Sequence, residues 1–158
     1  MKSILFARHS FAEYSFDKKD FDRTITSEGF SKIESQANLL KKRNCKIDLI
    51  ISSSAQRTMQ TALQFKELLN IKTNIVNYKW LYEAYTTQNI LDLFQSISNH
   101  HQSVLLIAHN PSISVMASNF NHSKNYMFNP ASIVKFDFNI EQWKDLDIRT
   151  GQEEFYLD

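Results

Sequence analysis

The stretch ILFARHS, residues 4–10, decides the fold and raises the first question about function. Four consecutive apolar residues are typical of a strand in a sheet that is covered on both faces. The strand then ends on Arg8 and His9. An arginine is almost never fully buried without a partner, and a histidine beside it is affected by its charge. We therefore expect the end of this strand to face a group of negative charge.

The remainder of the chain alternates short strands with longer helices. Apolar β-rich runs predict strands over residues 3–7, 48–52, 74–77 and 103–108, and a later alternating run predicts another over 132–138. Helical spacing predicts one helix capped by Thr26, with Phe30, Ile33, Ala37 and Leu40 on one face, and others over about 55–69, 87–98 and 112–120. No element is predicted beyond residue 142. Without linker or repeat, this order predicts a single domain over residues 1–158, an α/β/α three-layer sandwich with a mainly parallel central sheet.

Composition excludes several classes of function. Lysine plus arginine number 18 and aspartate plus glutamate number 17, so the net charge of +1 provides no overall field for nucleic acid or an anionic membrane. No run approaches the roughly 20 apolar residues of a membrane span. With only Gly29 and Gly151, the chain cannot build the glycine-rich loops that bind nucleotides. A single cysteine, Cys45, and the lack of a signal-peptide pattern predict a cytoplasmic protein.

Basic side chains follow three of the predicted strands. Arg8 and His9 end the first, Arg57 lies in the first turn of the helix after the second, and His109 follows the fourth. In open α/β sheets, ligands collect at the carboxyl ends of the strands. Guanidinium groups can give parallel hydrogen bonds to phosphate oxygens, so arginines and histidines at one edge of the sheet favour the binding of a phosphoryl group. A neutral imidazole is also a nucleophile, and Arg8 favours the neutral form of His9, so His9 is the predicted nucleophile.

Five motifs lie in order along nearly the whole chain: LFARHS, DFDRTITSEG, IISSSAQRTMQTA, WLYEAY and LLIAHNPSIS. Together they resemble the histidine phosphatase superfamily (phosphoglycerate mutase-like), and in particular its small phosphohistidine phosphatases of the SixA type. The resemblance implies a phosphoglycerate mutase-like fold. It also implies a phosphatase, a phosphoric monoester hydrolase that works through a covalent phosphohistidine intermediate without cofactor or metal.

The resemblance implies a role for each matching residue. His9 accepts the phosphoryl group, and Glu83 donates a proton to the leaving group. Asn110 is expected to line the pocket through its backbone, while Arg23 matches the motif without an assigned role. The phosphate pocket is implied to contain three further side chains: Arg8, Arg57 and His109. Because little chain lies between residues 83 and 103 to cover the pocket, the expected substrate is phosphohistidine on a protein.

Three positions depart from the family pattern, and other functions stay open. Ser10 replaces the usual glycine or alanine, Thr24 replaces proline, and Ala108 replaces glycine. Ser10 and Ala108 could narrow the pocket and change the choice of substrate. The same residues would serve a phosphatase or mutase of a small phosphorylated metabolite, or a non-catalytic phosphate-binding module.

The remaining histidines are expected to have no catalytic role. His100 and His101 lie in a polar turn, and His122 lies in a polar loop. Together with His9 and His109, His100 and His101 could suggest a metal cluster. First-row metal sites usually combine histidines with a carboxylate or thiolate at a recognisable spacing, so no metal site is predicted.

Overall fold

A computed structural model describes residues 1–121 and 124–158, so His122 lies outside the described residues. The described residues form six strands: β1 (Lys2–Arg8), β2 (Leu49–Ser53), β3 (Ile75–Tyr78), β4 (Ser103–Ala108), β5 (Ile133–Phe138) and β6 (Gln152–Leu157). They also form four α-helices: α1 (Ser27–Lys42), α2 (Gln56–Leu68), α3 (Thr87–Gln95) and α4 (Ser112–Phe120). Most predicted elements are present within one to three residues of their expected bounds.

The strands form one sheet in the order β3-β2-β4-β1-β5-β6. β1 to β4 are parallel, whereas β5 pairs antiparallel with both β1 and β6. The sheet is therefore mainly parallel, as the sequence predicts. β6 lies beyond residue 142, where no element is predicted from the sequence.

Helices cover both faces of the sheet, which explains the unbroken apolar runs of β1 and β4. Successive side chains of a strand point to opposite faces. Leu5 and Ala7 accordingly pack in the core beneath α1 and α2, while Ile4 and Phe6 pack in the core beneath α3 and α4. The two cores confirm the predicted three-layer sandwich.

The predicted apolar face of α1 is wrong at Phe30, which is 36% exposed. The Thr26 side chain caps the helix by accepting a hydrogen bond from the Gly29 N–H, as predicted. Gly29 itself is buried, and a Cβ there would lie 2.4 Å from the Phe11 carbonyl oxygen. This close approach fixes the rotation of α1, so the buried stripe runs through Gly29 and Ile33 and the adjacent Phe30 turns to solvent.

The sheet order brings the predicted site residues to one edge. β4 lies between β2 and β1, and Arg8 is in register with Ala108. The residues that follow β1 and β4 are therefore neighbours at the carboxyl edge, beside the end of β2. Among the helices of the described segments, none has the length and apolarity needed to cross a bilayer.

Candidate active site

His9 follows β1, and its two ring nitrogens have different partners. Nδ1 lies 2.7 Å from the Ser10 carbonyl oxygen, which can only accept a hydrogen bond, so Nδ1 carries the proton. The Arg57 Nε–H donates to Nε2 across 3.2 Å, which requires a lone pair there. Burial is the largest cause that lowers the pKa of His9, and together with the charges nearby, against the opposing Ser10 bond, it brings the pKa to about 3. His9 is thus a neutral imidazole whose unprotonated Nε2 accepts the Arg57 hydrogen bond, and burial contributes more to this state than Arg8.

His109 lies beside His9, with the two ring centroids 5.2 Å apart. Its Nε2 is 2.9 Å from the hydroxyl of the fully buried Ser53. The Ser53 oxygen also accepts the Ala55 N–H, and its hydroxyl either donates to Nε2 or accepts from it, according to which nitrogen of His109 carries the proton. Burial, and next the charge of Arg57, lowers the pKa of His109 to about 4. His109 is therefore neutral at pH 7.

Arg8 and His109 each have a buried side-chain nitrogen without a partner among the residues that the structure describes. Arg8 Nη1 donates to the Phe128 carbonyl oxygen across 2.9 Å, and the Asn110 side-chain amide donates to the same oxygen across 2.8 Å. Within the described part of the chain, Arg8 Nε and His109 Nδ1 are buried without a hydrogen-bond partner. An unsatisfied buried donor typically costs about 1–3 kcal/mol. The Arg8 Nε–H, a donor on a permanently charged group, is suited to binding an oxygen of an anion.

Arg57 is the second residue of α2, and its side chain is 7% exposed. A cation is unfavourable in the first turn of a helix, so a buried one there needs a partner. Nη1 donates to the Asp20 carbonyl oxygen across 2.6 Å, and Nη2 donates to Asp20 Oδ2 across 2.9 Å. Asp20 belongs to a 3₁₀ turn, Asp20–Asp22, in the segment between β1 and α1. Arg57 is therefore held between this turn and His9.

Tyr82 contacts the site residues, and Glu83 is the next residue in the chain. The Tyr82 hydroxyl donates to Asp20 Oδ2 across 3.0 Å, and its ring centroid is 5.6 Å from that of His109. Glu83 follows directly and is exposed; its side chain forms no hydrogen bond or ion pair with residues that the structure describes. Direct contacts thus join His9, Arg57 and His109, whereas Glu83 has no hydrogen bond or ion pair with any of them.

Two of the three departures from the family pattern have a local explanation. The Ser10 hydroxyl donates to the Gly29 carbonyl oxygen in α1 across 2.8 Å, so it points to the helix and does not narrow the pocket. The Thr24 N–H donates to Glu13 Oε1 across 3.0 Å, and its hydroxyl donates to the same oxygen. Proline has no N–H and could not make the first of these bonds. Ala108 is fully buried in β4.

Three residues that contact the site were missed by sequence reasoning: Asp20, Ser53 and Tyr82. All three lie inside the quoted motifs, but their residue types are common on surfaces and in turns. Only the fold shows which of them reach the histidines. In the described segments, no three or more histidine, cysteine, aspartate or glutamate residues are grouped so that they could hold a metal ion.

Comparisons with known proteins agree with this geometry at the level of fold. No protein-family model matches the chain, and no curated protein matches it. Among solved structures, a protein histidine phosphatase SixA complexed with tungstate has a TM-score of 0.84 at 20% identity, over 98% of this chain and 96% of that chain. A protein named as a phosphohistidine phosphatase SixA, from Agrobacterium tumefaciens, has a TM-score of 0.81 at 24% identity, over 99% and 97% of the two chains.

More distant structures share the same architecture. A phosphoserine phosphatase mutant from Entamoeba histolytica, in complex with phosphoserine, has a TM-score of 0.68 at 12% identity, over 99% of this chain and 96% of that chain. At these identities the similarity establishes the fold. The predicted phosphoglycerate mutase-like architecture is therefore confirmed, and the chain has the fold of the SixA phosphohistidine phosphatases.

Proposed function

We propose that the protein is a phosphatase that transfers a phosphoryl group to His9 and then to water. The observation that carries this proposal is the state of His9, which is a neutral imidazole with the Nε2 lone pair facing Arg57. A nucleophile in this state needs no base to activate it. The Arg57 guanidinium, which donates to Nε2, and the His109 ring, whose centroid is 5.2 Å from that of His9, lie where the oxygens of a phosphoryl group would bind.

In the first step, Nε2 of His9 attacks phosphorus in line with the leaving group. The N–P bond forms as the bond between phosphorus and the leaving group breaks, and the leaving group takes the bonding electron pair. Arg8, Arg57 and His109 stabilise the charge on the phosphoryl oxygens through N–H donors. Glu83, as a carboxylic acid, gives its proton to a leaving group that is too basic to depart alone.

In the second step, water attacks the phosphorus of phosphohistidine. The O–P bond forms, the N–P bond breaks, and its electron pair returns to Nε2 of His9. The proton lost by the water passes to the Glu83 carboxylate, which restores the acid for the next cycle. The products are inorganic phosphate and the neutral imidazole with which the cycle began.

The substrate class that we propose is phosphohistidine on a protein. Its first support is the name of the similar structures, which are SixA phosphohistidine phosphatases of almost the same chain length. Its second support is exposure to solvent: Asp20, which binds Arg57, and Glu83, which follows Tyr82, are both exposed. The chain between residues 83 and 103 is largely taken up by α3, which packs against the sheet core. A site with exposed residues around it admits a side chain carried on another protein.

A small phosphorylated metabolite is the second candidate substrate, because the phosphoserine phosphatase of Entamoeba histolytica shares the fold. The two candidates are separated by measuring kcat/KM on a phosphohistidine-containing protein and on a panel of phosphorylated metabolites. We expect the phosphoprotein to be preferred by at least about tenfold, with activity unchanged by EDTA. Preference for a metabolite would overturn the substrate class, and turnover that survives in His9→Ala would overturn the mechanism.

A further inference from the structure

We infer that Asp20 is a positioning residue that holds Arg57 in the orientation needed to bind the transferred phosphoryl group. The inference rests on the proposed function and assigns a role in it to the 3₁₀ turn Asp20–Asp22. This turn precedes α1 in the chain, yet its carbonyl and carboxylate oxygens contact the guanidinium at the start of α2.

The contacts of Arg57 use two different edges of its planar guanidinium. Nη1 and Nη2 together face Asp20, through the carbonyl oxygen at 2.6 Å and Oδ2 at 2.9 Å. Nε lies on the adjoining side edge and faces His9 Nε2 at 3.2 Å. The end of the guanidinium is therefore bound by the turn, while the side edge that carries Nε and the second Nη2 hydrogen is presented to His9. A phosphoryl group on His9 would meet this edge, which can give it two parallel hydrogen bonds.

The Asp20 carboxylate is itself fixed from two further directions. Arg23 Nη1 donates to Oδ1 across 2.8 Å, and the Tyr82 hydroxyl donates to Oδ2 across 3.0 Å. Burial acts to raise its pKa, but the hydrogen bonds from Arg23, Tyr82 and Arg57 lower the pKa of Asp20 to about 2. Arg23 is anchored in turn, because its Nε donates to the Glu13 carbonyl oxygen across 2.7 Å. Asp20 is thus an anion held in a fixed position. Arg23 helps to fix it, which is a role that the sequence motif alone does not assign.

Holding the guanidinium in advance matters because arginine has a long and flexible side chain. Its rotamer freedom is lost when it binds a ligand, and a fixed partner removes that loss from the binding step. The Asp20 carbonyl bond survives any side-chain substitution, so loss of the carboxylate should loosen Arg57 without releasing it fully. We therefore expect a partial loss of activity that depends on Arg57.

The test is a double-mutant cycle between Asp20→Asn and Arg57→Ala, measured as kcat/KM on nitrophenyl phosphate. Asp20→Asn should lower kcat/KM on the order of tenfold in the wild-type background, within the range of coupling between contacting residues. In the Arg57→Ala background it should change kcat/KM by less than about twofold. The matched control is Asp22→Asn, which removes the same charge from an exposed position on the same turn and should leave kcat/KM unchanged.

Equal losses in both backgrounds, or no loss in the wild-type background, would overturn the inference. A second measurement separates it from the proposed function. The Arg57 Nε–H is observable by ¹⁵N NMR, and its hydrogen exchange should be faster in Asp20→Asn than in wild type or Asp22→Asn. If the wild-type protein turned over no phosphorylated substrate, the proposed function would fail. The exchange rate alone would then decide whether Asp20 positions Arg57. Unchanged exchange in Asp20→Asn would overturn that role.

Discussion

Lowering the pH from about 7.5 to about 5 should destabilise the folded protein through His9 and His109. Burial holds their pKa values at about 3 and about 4, whereas a histidine in the unfolded chain titrates near 6.5. The stability that each neutral imidazole contributes is fully present above pH 6.5 and is lost as the pH falls toward the folded pKa, because only the unfolded chain takes up the proton. About pH 5 is about 1.5 units below the pKa of the unfolded histidine, and each unit corresponds to about 1.36 kcal/mol. The free energy of unfolding therefore falls by about 2 kcal/mol for each histidine and by about 4 kcal/mol for both.

Urea unfolding at the two pH values measures this difference directly. His9→Gln and His109→Gln should each reduce the wild-type difference by about 2 kcal/mol, and the double variant should lose the whole contribution. His100→Gln is the control, because His100 is exposed in a polar turn and its loss should leave the difference unchanged. A wild-type difference that persists in the double variant would refute the assignment of two neutral imidazoles.

Three further substitutions test separate parts of the account. Arg57→Ala should lower turnover on the order of 10² to 10³, as expected for one lost donor to the transition state, and a loss below tenfold would contradict its role. Glu83→Gln should lower turnover by a factor of roughly 10² to 10⁴ on an alkyl phosphate and by much less on nitrophenyl phosphate, whose leaving group needs no proton. Equal losses of turnover on the two substrates would exclude Glu83 as a proton donor. Gly29→Ala would place a Cβ 2.4 Å from the Phe11 carbonyl oxygen and 2.6 Å from Ile25 Cγ2. Overpacking should lower the free energy of unfolding by about 1–3 kcal/mol despite a helix-propensity gain of about 1 kcal/mol, and a stabilised variant would contradict the packing of α1.

The central parallel strands could be predicted from the sequence because burial on both faces produces unbroken apolar runs. β1 and β4 have this pattern, and the alternation of strands and helices predicts a mainly parallel sheet, although not the order of its strands. β6 was missed, although Phe155 and Leu157 are buried at alternate positions. Its remaining residues are polar or half-buried because it is an edge strand, so its apolar signal is weak. The exposure of Phe30 was also unpredictable, because it depends on how closely Gly29 approaches the Phe11 carbonyl oxygen.

The site could be predicted in part for a similar reason. Arg8 ends β1, and His9 and His109 directly follow strands, so the rule that ligands bind at the carboxyl ends of strands brings them together without knowledge of the loops. Asp20 and Tyr82 lie on connecting segments, and their meeting depends on how two such segments fold over one edge. No periodicity encodes that contact. The roles of Glu83 and Asn110 stay predictions, since they depend on a bound substrate.

The most direct test of the account is identification of the phosphorylated residue after rapid quenching of a reaction with labelled substrate. One label is expected, on His9, and it should be stable in alkali and lost in acid, as a phosphoramidate is. His9→Ala should show neither label nor turnover, while His100→Ala should show both at the wild-type level. A label on any other residue, or turnover by His9→Ala above a few per cent of wild type, would contradict the assignment of His9 as the nucleophile.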